Sequence, residues 1–355
     1  MTNGAAGGVT DGAAGWVPDV LPGYWQCTLP LGSDPAGEGD IVATLVRRGE
    51  PEGAEHAVLA VHGYTDYFFN TALADHFAER GFTFYALDLQ KCGRSRRDGQ
   101  TPHFITDLAH YDTELERALS AIRGQAAPGR PPTVLVYGHS SGGLIVPLWL
   151  DRLRRRNPTA HAAVGGLVLN SPFLDLHGPV VLRLSMTSAV IAGLSRVRSK
   201  GVVRGTTPGG YGTTLHRDYH GEFDYNLQWK PIGGFPITLG WLHAIRRGQT
   251  RLHRGLDVGV PNLILRSDHT VRETSDPASM QSGDAVLDVT QIARWAGCIG
   301  NRTAIVPVPD AKHDVFLSLE QPRRRAYREL DRWLDGYLNA HNSGNSQAST
   351  SSGKG

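Results

Sequence analysis

Cysteine is scarce in this 355-residue chain: Cys27, Cys92 and Cys298 are an odd set of 3 and lie far apart. No disulfide framework and no paired-cysteine metal motif can be drawn from them, so reduced thiols and a cytoplasmic location are expected. Lysine is nearly as rare, with 5 against 31 arginines, and the arginines are scattered. The 36 basic and 34 acidic side chains leave a formal charge of +2. That calls for neither a nucleic-acid groove nor a polybasic membrane anchor. A long hydrophobic run is also missing. The longest, Val180 to Leu194, is interrupted by Arg183 and is too short to span a bilayer. The opening MTNGAAGGVTDGAAGW carries no cation and no apolar run, unlike a secretory signal. No H-E-x-x-H or clustered ligand spacing suggests a metal.

What is present is ordinary globular composition, 40% hydrophobic and 20% charged, in a chain long enough for a large core. Short apolar runs alternate with helical patterns, which argues for βα units and a parallel sheet. Strands are expected at 41–46, 57–63, 82–89, 133–140, 166–171, 262–267 and 303–308. Helices are expected near 70–80, 107–123, 142–156, 288–297 and 320–338. The middle strands are continuously apolar, as in a sheet covered on both faces. The alternation fails from Pro172 to about Leu256, a stretch rich in Gly, Trp and His that is too long for a plain loop. The expected organisation is a tail at 1–20, an α/β core at 21–171 and 257–340, an inserted and mainly helical cap at 172–256, and a second tail at 341–355.

The chemistry gathers at the C-terminal ends of the expected strands. Gly138-His139-Ser140-Ser141-Gly142 matches G-x-S-x-G, between the apolar run TVLVY and the helical pattern GGLIVPLWLDRL. A strand, a sharp turn and a helix are the setting that lifts a serine hydroxyl above a sheet. Glycine at 138 and 142 leaves room for the turn, and the helix dipole favours a developing anion. A tetrahedral intermediate needs two N–H donors. The amide of Ser141 is one candidate. The other is that of Tyr64, in His62-Gly63-Tyr64 after the AVLAV run. His62 itself is expected to be structural. Asp66, Tyr67 and Phe68 either line the pocket or form a solvated turn.

A general base must follow, and His313 in PDAKHDVF comes directly after the last expected strand. Two acids fit the order Ser, Asp, His: Asp268, right after NLILRS, and Asp284 in SGDAVLD. Asp288 reads as the cap of the next helix. Cys92 has no base paired with it, so a cysteine nucleophile is not expected.

With these residues in view, the chain resembles the α/β-hydrolases of the monoacylglycerol lipase and lysophospholipase group, the serine aminopeptidase-like enzymes. The resemblance covers about residues 40–340. It is carried by His62-Gly63, by DLQKCGRS in the place of a D-x-x-G-x-G-x-S loop, by GHSSGG at 138–143 and by His313. The group's acid sits in a pattern like G-x-x-D-x-x-x-D; SGDAVLD carries its D-x-x-x-D part with Asp284 first, which favours Asp284 over Asp268. The resemblance implies an α/β-hydrolase fold with a mostly parallel sheet, flanking helices and a helical cap. It further implies cleavage of carboxylic esters through an acyl-enzyme, with no cofactor and a small-molecule or lipid ester as partner. The cap's Phe223, Trp229, Phe235 and Trp241, with the VVLRLSMTSAVIAGL run, either form its own core or meet acyl chains and, weakly, a membrane surface. A peptidase or amidase would use the same residues, with Glu222 or Asp224 anchoring a substrate amine. An acyltransferase would differ by excluding water, and a binding protein on this scaffold would normally lose a triad member.

Overall fold

The computed structural model describes residues 15–51, 53–125, 130–178, 185–205, 210–273 and 276–351, with side chains as far as Tyr337. Its strands are β1 (Val17–Pro18), β2 (Tyr24–Ser33), β3 (Asp40–Arg48), β4 (His56–Val61), β5 (Phe82–Asp88), β6 (Thr133–His139), β7 (Val164–Asn170), β8 (Val202–Arg204), β9 (Ile237–Thr238), β10 (Asn262–Ser267) and β11 (Thr303–Val308). The helices are α1 (Thr71–Glu79), α2 (Asp112–Gly124), α3 (Gly142–Arg156), α4 (Pro158–His161), α5 (Ser185–Val197), α6 (Leu239–Leu252), α7 (Val289–Trp295) and α8 (Glu320–Ser351).

Nine strands form one sheet in the order β1-β2-β3-β5-β4-β6-β7-β10-β11. From β5 to β11 every pairing is parallel. The β1, β2 and β3 end is antiparallel. Parallel strands need helical crossovers, and these cover both faces. On one face Leu115, Leu119, Trp149 and Leu153 pack on the sheet. On the other, Phe77, Leu330 and Leu334 pack against Val58, Phe84 and Leu263. Helix α3 is buried from Gly142 through Asp151, which explains its continuously apolar first half. Asp288 caps α7 through the Thr290 amide at 2.9 Å, as its position suggests. The molecule therefore has the mostly parallel, helix-flanked architecture of an α/β-hydrolase.

Three stretches differ from the sequence expectation. Strand β2 has no counterpart among the expected strands: Pro30 and Gly32 sit at a bulge in its pairing with β3 and break the run. Residues 15–20 are not tail. β1 pairs with β2, the Arg47 guanidinium lies 4.4 Å over the Trp16 ring, and Asp19 forms a buried ion pair with Arg94 at 2.6 Å. The rest of that tail, like residues 352–355, lies outside the described residues. α8 runs to Ser351, beyond residue 340, since no proline follows Pro322 to stop it.

Between β7 and β10 the described chain holds α5, α6, the short β8–β9 ribbon and long turns. Among the described residues no helix is long and apolar enough to cross a membrane.

The turn from β6 into α3 fits closely under the end of β4. A Cβ on Gly142 would stand 2.5 Å from the His62 carbonyl oxygen and 2.6 Å from that of Val61, both backbone atoms. Gly142→Ala is therefore expected to destabilise the fold by about 1–3 kcal/mol or more. Gly297→Ala, with nothing within 4 Å, should change little. Urea unfolding of the two variants checks the contrast.

Candidate active site

Ser140 is held at φ 52°, a left-handed conformation that an ordinary side chain adopts only when its surroundings impose it. Two amide contacts impose it here: Ser140 N donates to Asn170 O at 3.0 Å, and Phe173 N donates to Ser140 O at 2.9 Å. The side chain is thereby lifted off the end of β6. The loop after β11 brings His313 to it. His313 Nε2 lies 3.0 Å from Ser140 Oγ, and His313 Nδ1 lies 3.0 Å from Asp284 Oδ2. Asp284 and His313 are both buried, while Ser140 is partly open.

The carboxylate is itself fixed. Its other oxygen, Oδ1, accepts the amides of Val286 and Leu287, each at 2.8 Å, leaving Oδ2 for the imidazole. This geometry sets the tautomer, with Nδ1–H donating to Asp284 and Nε2 accepting from the serine hydroxyl. Asp268 is not brought there. Its side chain is 36% exposed, and Oδ1 meets His269 Nδ1 at 2.8 Å and accepts the Asp310 amide.

The loop after β4 presses on the same serine: a Cβ on Gly63 would come within 2.9 Å of Ser140 Cβ. His62 orders this loop. The Leu89 amide donates to His62 Nε2 at 3.0 Å, so Nδ1 carries the proton and donates to Gly63 O at 2.7 Å. Holding that carbonyl turns the next N–H, that of Tyr64, to the opposite side of the planar peptide. Among the described residues neither the Tyr64 amide nor the Ser141 amide donates to a protein acceptor.

The following residues form no solvated turn. Burial pushes the Asp66 carboxyl up, but the Lys230 ammonium at 2.6 Å holds it below the usual carboxylate range. Tyr67 Oη accepts the Asn226 amide at 2.7 Å, Thr65 Oγ1 accepts that of Phe235 at 2.9 Å, and Tyr64 Oη donates to Pro236 O at 2.7 Å. Four consecutive side chains thus grip residues 226–236.

Cys92 does have a partner, contrary to the sequence reading. Its Sγ lies 3.1 Å from His103 Nδ1, a residue 11 positions away that only the turn at 93–103 brings back. Burial pushes the thiol well up and the imidazole well down, so the pair stays neutral. Glu222 and Asp224 are each held in an ion pair: Glu222 with Arg323 and Asp224 with Arg217, each at 3.0 Å.

Several residues around the site had no motif to announce them. Asn170, fully buried at the end of β7, accepts His139 Nδ1–H on its carbonyl and donates from Nδ2 to Asp314 Oδ1 at 2.7 Å. Lys312, beside His313, is 2% exposed and donates from Nζ to Thr214 O at 2.8 Å. Desolvation lowers its pKa from 10.5 to about 8, against the pull of Glu222 and Asp314. The available signal was position alone, at a strand end and next to the expected base. Among the described residues no group of three or more His, Cys, Asp or Glu side chains is placed to hold a metal ion.

A family model described as Hydrolase_4, serine aminopeptidase S33, matches residues 52–273, more than half the chain. No curated protein matches the chain. Solved structures share the fold at low identity. A soluble variant of monoglyceride lipase from Saccharomyces cerevisiae, in complex with a substrate analog, is 16% identical with a TM-score of 0.60, over 84% of this chain and 92% of its own. A thermostable carboxyl esterase from Bacillus coagulans, in complex with glycerol, is 15% identical with a TM-score of 0.58, over 88% and 99%.

The buried Lys312 gives a pH test. Its folded pKa lies below the unfolded one, so between about pH 8 and 10.5 the unfolded chain binds more protons and this lysine's contribution to stability rises with pH. Lys312→Met removes the titration. The Tm of the parent relative to that variant should therefore rise from pH 7 to pH 10; a constant difference would contradict the assignment.

Proposed function

The chain belongs to the Hydrolase_4 family, serine aminopeptidase S33, and from that premise we propose that it is a serine hydrolase that cleaves carboxylic esters. One observation carries the reading: the continuous hydrogen-bonded chain Asp284–His313–Ser140, with both links at 3.0 Å. In the proposed mechanism His313 Nε2 takes the Ser140 proton as Oγ attacks the ester carbonyl. Asp284 keeps the imidazole in the required tautomer and stabilises the imidazolium. The N–H groups of Tyr64 and Ser141 hold the oxyanion; among the described residues neither has a protein acceptor, as a site kept for a transient charge requires. His313 then returns the proton to the leaving alcohol. Water attacks the acyl-enzyme by the same route in reverse.

Ester rather than amide is favoured because the two acids that could anchor a substrate amine, Glu222 and Asp224, are each taken by an arginine. The substrate we assign is a small or lipid acyl ester, of the monoacylglycerol or lysophospholipid kind. Residues 172–256 are assigned as the cap. Its Trp241 is buried against Phe173 and lies 4.2 Å from the Tyr64 ring, which ties the cap to the loop after β4. On the outer side of α5, Met186, Val190, Leu194 and Val197 are 79%, 57%, 51% and 84% exposed. Spaced along one stripe, they are not the cap's core, and they support weak, reversible contact with a lipid surface. Three free cysteines suit a reducing compartment, the cytoplasm.

Ser140→Ala should abolish turnover of p-nitrophenyl esters while the circular-dichroism spectrum is retained; persisting turnover would reject the nucleophile. Asp284→Asn should lower kcat by up to ~10⁴-fold, and Asp268→Asn by little. The reverse order would move the acid to Asp268. A panel from acetate to palmitate esters, run beside aminoacyl amides, reads acyl length and tests ester against amide.

A further inference from the structure

The segment G-Y-G-T-T-L, at 210–215, lies in the insertion, far in sequence from every residue of the proposed mechanism. Gly210 enters it at φ 78°, a conformation open to glycine. The chain then tightens into a 3-10 turn over Tyr211–Thr214. Both threonines fasten it: Thr213 Oγ1 donates to Gly210 O at 2.7 Å and Thr214 Oγ1 to Tyr211 O at 2.8 Å. A Cβ on Gly212 would stand 2.3 Å from the Ile232 carbonyl oxygen. The turn is therefore wedged against the same 226–236 stretch that Tyr64, Thr65, Asp66 and Tyr67 grip.

This turn holds both neighbours of His313. Tyr211 Oη accepts the Asp314 amide at 3.0 Å, and Thr214 O accepts Lys312 Nζ at 2.8 Å. The Tyr211 ring also meets the His313 ring edge-on at 5.8 Å, with an interplanar angle of 81°. The imidazole cannot shift along its loop without breaking one of these contacts. We propose that Tyr211 is a positioning residue for the His313 imidazole, so that the insertion completes the general base as well as covering the site. The proposal rests on the reading of His313 as the base. Its consequence is mechanical: displacing the turn releases Lys312 and Asp314 together and slackens the Ser140–His313 contact. A misplacement of about 1 Å at reacting atoms costs on the order of 100-fold in rate, so an open insertion would leave the serine unactivated.

The test uses Tyr211→Phe, which keeps the ring and removes the acceptor, beside Tyr219→Phe, an exposed tyrosine of the same insertion. With p-nitrophenyl butyrate, Tyr211→Phe should lower kcat about 10- to 100-fold with KM within about threefold. The low-field proton resonance of the His313–Asp284 hydrogen bond should broaden or move. Tyr219→Phe should match the parent in both. Lys312→Met loosens the same loop from its other side and serves if Tyr211→Phe folds poorly. It too should lower kcat with KM held, and the double variant should fall short of the product of the single effects. An unchanged kcat and an unchanged resonance in folded Tyr211→Phe would overturn the proposal. So would a loss of activity that only follows the loss of folded protein. If instead Ser140→Ala remains active, the hydrolase reading fails, and the resonance still reports whether the turn holds His313.

Discussion

Asn170 is fully buried at the C-terminal end of β7 and spends its whole amide on other segments. Its backbone carbonyl takes the Ser140 amide and the His139 ring proton. Its side-chain oxygen accepts the Val315 amide at 3.2 Å, and its side-chain nitrogen meets Asp314 Oδ1 and Tyr137 Oη. One residue thus ties the strained turn after β6 to the loop that follows β11. Parallel pairing places the two segments at one sheet edge, but pairing alone leaves each loop free to lean by an ångström or more. Because an unmade buried hydrogen bond is costly, Asn170 converts shared location into a fixed separation between Ser140 and His313.

The same edge is tied to the insertion from two directions. Tyr64, Thr65, Asp66 and Tyr67 bind residues 226–236 from the β4 side, and the loop after β11 binds Tyr211 and Thr214. Of these contacts Lys230–Asp66 is the most exacting, since a buried charge left alone is far worse than a buried pair. The residue proposed to present an oxyanion donor, Tyr64, is also one whose hydroxyl reads the position of Pro236. The placement of the insertion and the geometry of the proposed site are therefore coupled through the same side chains.

How much of this was legible in the sequence follows from how local each feature is. β10, β11 and α3 are bounded by their own apolar runs, and the structure gives them at the expected residues, 262–267, 303–308 and 142–156. The serine turn was legible because glycine, serine and glycine must be close in sequence to make it. Asp284 against Asp268 was not decidable from strand ends alone, because the choice lies in a loop that returns to pair at Thr270 before releasing the carboxylate. Only a family pattern pointed to Asp284. Residues 15–20 looked like tail because their partners, Arg47 and Arg94, are remote. Asn170, Tyr211 and Lys312 act through backbone groups of other segments, and no spacing rule records that.

The molecule offers its own control for what makes a nucleophile. Two hydroxyl- or thiol-bearing side chains lie about equally close to an imidazole: Cys92 at 3.1 Å from His103 and Ser140 at 3.0 Å from His313. Cysteine is intrinsically the better nucleophile, yet its environment disarms it. Cys92 is 1% exposed, and desolvation raises the thiol while lowering the imidazole, so both neutral forms are favoured. Among the described residues His103 Nε2 has no hydrogen-bond partner, so no carboxylate is bonded to it as Asp284 is to His313. At Ser140 the hydroxyl is partly open and the second imidazole nitrogen meets a carboxylate. The difference lies in access and in the third group. A short contact to histidine is therefore weak evidence for catalysis on its own, and the case for Ser140 rests on the arrangement behind His313 rather than on the contact itself.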